Sequence, residues 1–175
     1  MYQDNGLTFS SAQAITATAA STSIVDLTGF GSTVAPNLIF GGTVYGADMG
    51  VGDGMAVPKI ACFVGTTFLT LTSLTVSAQF AVDNGSNSPG TYQTYAETGA
   101  IPVAALTAGA NIGTFDLPKA PEGDLAQYPL PRFVRLEYTV AGSNATAGTV
   151  NAFIAIQRDS QLAGRQYGSN FVVAA

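Results

Sequence analysis

FLTLTSLTVSAQFAV, at residues 68–82, alternates apolar and polar side chains over most of its length. A period of two places successive side chains on opposite faces, which is typical of a half-buried β-strand. The apolar residues change from odd to even positions along the stretch: Leu69 and Leu71, then Leu74, Val76, Ala78, Phe80 and Val82. The change falls at Thr72 and Ser73, which predicts a β-bulge or a bend there.

The longer stretch 60–82 contains no charged residue and is long enough to cross a bilayer. Threonine, serine and glutamine interrupt it, mostly in alternation with apolar residues. This pattern favours a strand over a membrane helix, and we expect no membrane partner. The turn-forming sequence DNGSNSPG at 83–90 predicts an exposed loop directly after the strand.

Further strands are predicted from the rest of the chain. Residues 132–140 and 149–157 alternate in the same way and flank the glycine-rich segment 141–148, which predicts an antiparallel hairpin with a loop. Shorter candidates lie at 23–27, 38–45, 57–64, 91–95 and 112–117. About eight strands without long helical periodicity predict a single all-β domain over 1–175, built as an antiparallel sandwich or barrel.

The two ends of the chain lack a strong period, and residues 1–22 and 158–175 are predicted to be extended arms. An uncharged arm with a few aromatic side chains is suited to lying across a neighbouring protein. The predicted contact residues on the arms are Tyr2, Phe9, Gln13, Arg165, Tyr167 and Phe171. In the alternative interpretation, part of 5–27 is the first strand of the sandwich, with Ile15, Ile24 and Leu27 in the core.

The composition excludes several kinds of chemistry. The chain of 175 residues has no histidine, no tryptophan and one cysteine. Histidine-dependent triads and imidazole metal sites are therefore ruled out. The lone Cys62 cannot form an internal disulfide, and its apolar surroundings predict a buried thiol.

The charge content also limits the partners. Charged residues make up 10% of the chain and the net charge is −5, whereas about 25% of residues are charged in an ordinary domain. Arg132 and Arg135 are the one close basic pair, and they fall on opposite strand faces. Nucleic-acid binding requires clustered cations and is not predicted. A surface poor in charge favours extended contact with other protein.

Two acidic segments of the chain resemble known kinds of site, but neither has the residues that such a site requires. DMGVGDG at 48–54 lacks both the lysine of a phosphate loop and the acid spacing of a calcium loop, so it predicts a tight turn. Asp116, Glu122 and Asp124 lie among prolines, without tryptophan to stack a sugar, so a glycosidase pair is not predicted. We expect no catalytic residue, no metal and no cofactor, and hence no enzyme.

Four stretches of the chain carry a resemblance to a known family: 7–27, 48–55, 130–150 and 165–173. The chain resembles the capsid cement, or decoration, proteins of tailed-bacteriophage heads, in particular the family typified by the Bordetella-phage cement protein. The first and third stretches, LTFSSAQAITATAASTSIVDL and LPRFVRLEYTVAGSNATAGTV, are the more specific ones. The chain departs from the family's expected pattern at 41–47 and 83–90.

The resemblance implies a jelly-roll sandwich on the outside of a phage head, where it would clamp major capsid proteins together. It also implies a homodimer or homotrimer, although the sequence does not decide between them. The first residues, MYQD, show no secretory leader, so we expect synthesis in the host cytoplasm. The alternatives are another virion part, such as a head fibre or tail subunit, and a carbohydrate-binding sandwich.

Overall fold

The computed structural model describes residues 7–27, 38–40, 43–45, 58–86, 88–118 and 131–156. In these residues every strand pairing is antiparallel, and the described helical structure consists of 3-10 turns at Leu7 and at Val103–Ala105. The strands are β1 (Thr8–Ala14), β2 (Ala19–Ala20), β3 (Val25–Asp26), β4 (Leu38–Phe40), β5 (Thr43–Tyr45), β6 (Pro58–Ala81), β7 (Gln93–Glu97), β8 (Ile101–Pro102), β9 (Asn111–Asp116) and β10 (Phe133–Ile156). The all-β antiparallel prediction is confirmed.

Two strands of 24 residues, β6 and β10, form the centre of the fold. They pair with each other from Ala81↔Phe133 at one end to Pro58↔Ile156 at the other. A straight strand of this length would extend about 80 Å at roughly 3.3 Å per residue. The pair bends at its middle instead. Each half then carries its own neighbouring strands.

The bend lies at Thr70 on β6 and between Gly142 and Gly148 on β10. Thr70 has a φ of 73°, and the two glycines have φ of 82° and 139°. The pairing passes from Ser73↔Ala141 to Leu71↔Gly142, so Thr72 is an extra residue on β6. The bulge predicted at Thr72 and Ser73 is therefore confirmed. The pattern did not predict the second irregularity at Thr70, which turns Leu69 outwards to 54% exposure.

The bent pair folds over on itself to make a sandwich. One half of β6 and β10 is flanked by β1 and β9, and the other half by β2, β3, β7 and β8. Cys62 pairs with Ala152 in the first half, and Tyr138 pairs with Val76 in the second. Ser10 also pairs with Ala152 in the first half, yet its hydroxyl lies 2.8 Å from the Tyr138 hydroxyl, and Cys62 and Tyr138 belong to one buried cluster. The two halves must therefore face each other, with the apolar core between them.

The core is built from the inward side chains of both halves, which alternate along the strands as the sequence predicts. Thr72 and Thr70 each shift the inward-facing positions of β6 by one residue. Because the two shifts add to two, even-numbered residues of β6 point inward on both sides of the bend. The largest fully buried side chains include Phe9, Ile15, Ile60, Leu74, Val76, Val134, Leu136 and Tyr138. The hydroxyls of Ser10 and Tyr138 meet at 2.8 Å inside this core, which satisfies two buried polar groups.

The predicted hairpin of 132–140 with 149–157 is wrong. The two segments are halves of the single strand β10, and each pairs with β6. The glycine-rich segment between them does not reverse the chain as a hairpin loop would. Its glycines at positive φ bend the strand through the corner of the sandwich, because glycine adopts this conformation without steric cost.

The predicted N-terminal arm is also wrong over residues 8–22. β1 pairs with β10 from Thr8↔Phe153 to Ala14↔Thr149, and β2 and β3 pair with the other half of β10. The alternative interpretation, a first sandwich strand, is the one observed. Ile15 is fully buried and Leu27 packs against the core, whereas Ile24 is 38% exposed. Residues 1–6 and the predicted arm 158–175 lie outside the described residues.

The shorter strand predictions differ in their outcome. The segments at 23–27, 91–95 and 112–117 overlap β3, β7 and β9. The segment at 57–64 is the beginning of β6 and not a separate strand. The segment at 38–45 contains two strands, β4 and β5, which pair with each other.

Residues 60–82 fall almost entirely within β6, so the strand prediction for this uncharged stretch is confirmed. In the described part of the chain, no helix has the length and apolar character needed to cross a membrane. The loop predicted at 83–90 is present over its described residues, 83–86 and 88–90, and 84–86 and 88 are exposed. Its turns are held by bonds from the Gly85 amide to Asp83 and from the Ser86 amide to Asn84.

Arg132 joins three chain segments where β10 begins. Its guanidinium donates to both carboxylate oxygens of Asp26, at 3.0–3.3 Å, and to Asp83, and it stacks on the ring of Phe133. The Arg132 side chain is 11% exposed and that of Asp26 is 4% exposed. Desolvation opposes the ionisation of Asp83, but the Gly85 amide and the charge of Arg132 outweigh it and lower the pKa of this carboxyl. Arg132 thus holds the ends of β3 and β6 against β10.

Cys62 is fully buried, as predicted. Desolvation raises the pKa of its thiol to about 12, although the hydrogen bond with Tyr138 acts in the opposite direction. We expect the folded protein to resist maleimide labelling at pH 8 for hours, whereas the chain in denaturant reacts within minutes, because the thiolate is the reacting form and is both scarce and inaccessible. The measurement is mass spectrometry of timed aliquots. Rapid labelling of the folded protein would contradict this placement of Cys62.

Candidate contact surface

The bend divides the sandwich into two ends with different chemistry. We call the end with the bend the closed end, formed by residues 16–18, 65–72, 103–110 and 139–148. We call the opposite end, where β6 begins and ends, the open end. The segments of the closed end are far apart in sequence, and hydrogen bonds join them into one surface.

Thr70 organises the corner of the closed end. Its hydroxyl donates to the carbonyl of Asn144 at 2.9 Å and accepts from the amide of Thr146 at 3.0 Å. These bonds help to hold a β-branched residue at a φ of 73°, which is unfavourable for such a side chain. The bulge places the Thr72 side chain against Gly142, where a Cβ would collide with it. The corner is therefore a defined, rigid structure.

Two loops complete the closed end. The loop at 16–18 is fixed by bonds from the Ala145 amide to the Thr16 carbonyl and from the Val140 amide to the Thr18 hydroxyl. The loop at 103–110 is fixed by bonds from the Phe68 amide to the Leu106 carbonyl and from the Ala108 amide to the Thr67 hydroxyl. The Leu106 side chain is fully buried beneath its loop.

The closed end carries no charged residue in any of its segments. Its exposed side chains belong to Thr16, Ala17, Thr18, Thr66, Leu69, Thr70, Thr72, Ala104, Ala105, Thr107, Ala108, Thr139, Ala141, Ser143, Asn144 and Thr146. Along the β6–β10 pair, the nearest charged position is Glu137, two residues before Thr139 at the edge of the closed end and five before Gly142 at the corner, which is about 16 Å from the corner at roughly 3.3 Å per residue. The charged residues that the structure describes are Asp26, Lys59, Asp83, Glu97, Asp116, Arg132, Arg135 and Glu137.

This separation of charge determines what each end can bind. A surface of Thr, Ala, Ser and Asn with one exposed leucine can be covered by another protein without removing a charge from water, a step that is costly for unpaired ions. Depletion of charge is also what distinguishes the centre of a protein interface from the rest of a surface. The closed end is therefore the better of the two ends for extended protein contact.

The open end carries ion pairs and a cleft. Lys59 and Asp116 pair at 2.7 Å at the beginning of β6. Arg135 lies over the ring of Tyr92, donates to Gln79 at 2.8 Å and lies 3.5 Å from Glu137. The cleft lies between β7 and β9, with Phe80, Tyr95 and Phe115 among its lining residues. Desolvation, and then the charge of Asp116, raise the pKa of Tyr95, so its hydroxyl stays protonated.

The contact residues predicted from the sequence do not form one surface. Phe9 lies in the core and is fully buried, because it belongs to β1 and not to an arm. Gln13 is half-buried. Its amide donates to the Ala20 carbonyl and accepts from Ser10 and Thr22, which ties β1 to the following turn. Tyr2, Arg165, Tyr167 and Phe171 lie outside the described residues.

The acidic segments give no assembled site in the described residues. Asp116 is on β9 and pairs with Lys59, while Glu122, Asp124 and the segment 48–54 lie outside the described part. No group of three or more potential metal ligands occurs within the described ranges. Arg132 and Arg135 bind different partners, in agreement with the prediction that they do not form a joint basic patch.

Comparison with known protein families gives a match over most of the sandwich. Residues 9–154 match the family Bbp16, a family of Bordetella phage proteins, from β1 almost to the end of β10. The chain belongs to the Bbp16 family. A search of curated proteins found no match. The Bbp16 match covers the closed end and both halves of the bent pair, so the closed end lies within the part of the chain that the family shares. Membership of the family associates the chain with phage proteins.

The sequence contains a signal for the closed end in the form of three uncharged stretches. The stretches at 60–82, 98–115 and 138–157 contain no charged residue. A hairpin of 132–140 with 149–157 does not predict that these three stretches meet at one end. Because β10 continues through the corner and pairs with β6 on both sides of it, the three stretches lie next to one another at the closed end.

Proposed function

We propose that the protein is a structural component of the phage virion that binds the outer surface of the head and clamps major capsid proteins together. The observation that carries this proposal is the uncharged closed end, a rigid surface suited to extended contact with protein. Membership of the Bbp16 family supports the assignment to a phage, and the resemblance to cement proteins supports the position on the head. The protein acts there without catalysis, metal or cofactor.

The proposed mechanism is stabilisation by selective binding. A protein that binds the assembled shell and not its free subunits stabilises the shell by the binding free energy. Many copies on one particle multiply the effect, and a copy that touches two subunits links them. A charge-poor contact surface suits this role, since its binding is weakly dependent on salt.

Substitution of Leu69 tests the contact surface. Leu69→Asp adds a charge to the centre of the closed end at an exposed position, so we expect the melting temperature of the free protein to change little. Binding to heads assembled without the protein should weaken by at least about tenfold, since the new carboxylate loses water without gaining a partner. Co-sedimentation with purified heads measures the bound fraction.

The matched control is Ser86→Asp, which adds the same charge to the exposed loop at the open end. We expect it to bind heads like the unmodified protein. Equal weakening by the two substitutions would indicate a general charge effect and contradict the assignment of the closed end. Failure of the unmodified protein to bind any head preparation would contradict the proposed function itself.

A further inference from the structure

The exposed loop that follows β6 contains an asparagine directly before a glycine, Asn84 and Gly85. In such a pair the backbone nitrogen of the glycine can attack the side-chain carbonyl carbon of the asparagine, because the new bond closes a five-membered ring. Both residues are exposed, and a Cβ placed on Gly85 meets no atom of the described residues within 4 Å. The Gly85 nitrogen therefore lies in open space, with no side chain on its own residue to shield it.

The turn at this loop bends the Asn84 side chain back along the main chain. The Asn84 amide donates to the Ser88 carbonyl at 3.0 Å, and the Asn84 Oδ1 accepts from the Ser86 amide at 2.9 Å. To reach the amide two residues ahead, the Asn84 side chain must curve over the peptide nitrogen of Gly85. When that nitrogen attacks, negative charge develops on Oδ1. The Ser86 N–H already points at this oxygen and stabilises the charge, as a donor of an oxyanion hole does.

Asp83 supplies an acceptor for the proton that the attacking nitrogen loses. Its Oδ1 accepts from the Gly85 amide at 2.9 Å, while its Oδ2 is held by Arg132. Desolvation opposes the ionisation of Asp83, but the Gly85 amide and Arg132 lower its pKa, so the carboxylate is ionised at neutral pH. A weak base is sufficient here. An amide nitrogen that has bonded to a further carbon loses its resonance, and its proton becomes strongly acidic.

We propose that residues 83–86 form a self-modifying site that converts Asn84 to aspartate or isoaspartate without an enzyme. The Gly85 nitrogen bonds to Cγ of Asn84, and its proton passes to Asp83. The bond between Cγ and Nδ2 then breaks, and Nδ2 leaves as ammonia with that proton. Water opens the resulting succinimide at either of its two carbonyls, which gives the two products.

The conversion is irreversible, and it is independent of the proposed function. Each converted copy gains one carboxylate, which changes the net charge of the chain from −5 to −6. The new charge lies at the open end, so the uncharged closed end is unaltered. The isoaspartate product also carries one extra backbone carbon, which changes the course of the main chain between residues 84 and 85.

Peptide mapping of the full-length protein tests the proposal. The protein and a synthetic peptide of residues 80–92 are incubated at pH 8 and 37 °C, and mass spectrometry follows the gain of about one dalton at residue 84. We expect Asn84 to convert at least about threefold faster in the folded protein than in the peptide, because only the fold positions the donor and the acceptor. The internal reference is Asn144, which is exposed and precedes an alanine, and it should convert far more slowly than Asn84.

Two substitutions separate the fold of the loop from its sequence. Ser86→Pro removes the amide hydrogen that bonds to Asn84, whereas Ser86→Ala keeps it. Each variant is compared with the peptide of the same sequence, and we expect the alanine protein to keep the acceleration and the proline protein to lose it.

Conversion in the unmodified protein that is no faster than in its peptide would overturn the proposal. Equal acceleration in the alanine and proline proteins, or conversion of Asn144 as fast as that of Asn84, would overturn it as well. None of these results depends on binding to heads, so the proposed function would stand.

Discussion

Replacement of Arg132 by methionine should lower the free energy of unfolding by about 3–5 kcal/mol, the range for breaking a buried ion pair from one side. At 2–4 °C per kcal/mol for a chain of this size, the melting temperature should fall by roughly 10 °C. The reason is the burial of Asp26. Its side chain is 4% exposed, and its carboxylate accepts hydrogen bonds from two nitrogens of the guanidinium. Methionine retains part of the stem but leaves this carboxylate without the cation.

The control is Lys59→Met, which removes the cation of a pair whose acid, Asp116, is 62% exposed. Such surface pairs contribute about 0–1 kcal/mol. A second variant, Arg132→Met with Asp26→Asn, should recover part of the loss because the buried carboxylate is gone. Thermal unfolding followed by circular dichroism measures all three. Similar melting temperatures for the Arg132 and Lys59 variants would contradict the role of Arg132 in joining β3, β6 and β10.

Gly148→Ala should be the most damaging single substitution at the bend. A Cβ built on Gly148 lies 2.5 Å from two ring carbons of Phe68 and closer to a third, and Phe68 is 1% exposed. Overpacking costs about 1–3 kcal/mol, and an alanine at positive φ adds about 1–2 kcal/mol. We therefore expect a loss of about 3 kcal/mol in denaturant unfolding.

Gly109→Ala separates the two contributions. Gly109 has a φ of 84°, but a Cβ there meets nothing within 4 Å. Its substitution should cost about 1 kcal/mol, from the backbone alone. If the two alanine variants were equally stable, β10 would not pack against Phe68 at the corner, and the continuous strand through the bend would be wrong.

The alternation in β6 was sufficient to predict a strand and the bulge at Thr72, because the pleat fixes which side chains share a face. The same rule could not distinguish a hairpin from a bent strand in β10. A glycine-rich segment is compatible with a hairpin loop and with a bent strand. The bent strand forms here because β6 is long enough to pair with both halves of β10. That pairing joins residues distant in sequence, which local patterns do not report.

The N-terminal strand shows a second limit. Residues 8–14 include Ser10, Ser11 and Gln13, so their alternation is weak, and they were assigned to an arm. In the structure, Ser10 is buried because its hydroxyl meets that of Tyr138, and Gln13 bonds to the turn at Ala20 and Thr22. Polar residues can lie in or against a core when long-range partners satisfy them. The cleft was missed for a similar reason, since β7 and β9 come together only through β6.

Electron cryo-microscopy of phage heads with and without the protein tests the central claim most directly. The account predicts additional density on the outer surface of the head that fits the bent sandwich, with the uncharged closed end against the shell and each copy in contact with at least two capsid subunits. Heads that show no additional density after incubation with excess protein, or density attached through the charged open end alone, would contradict it.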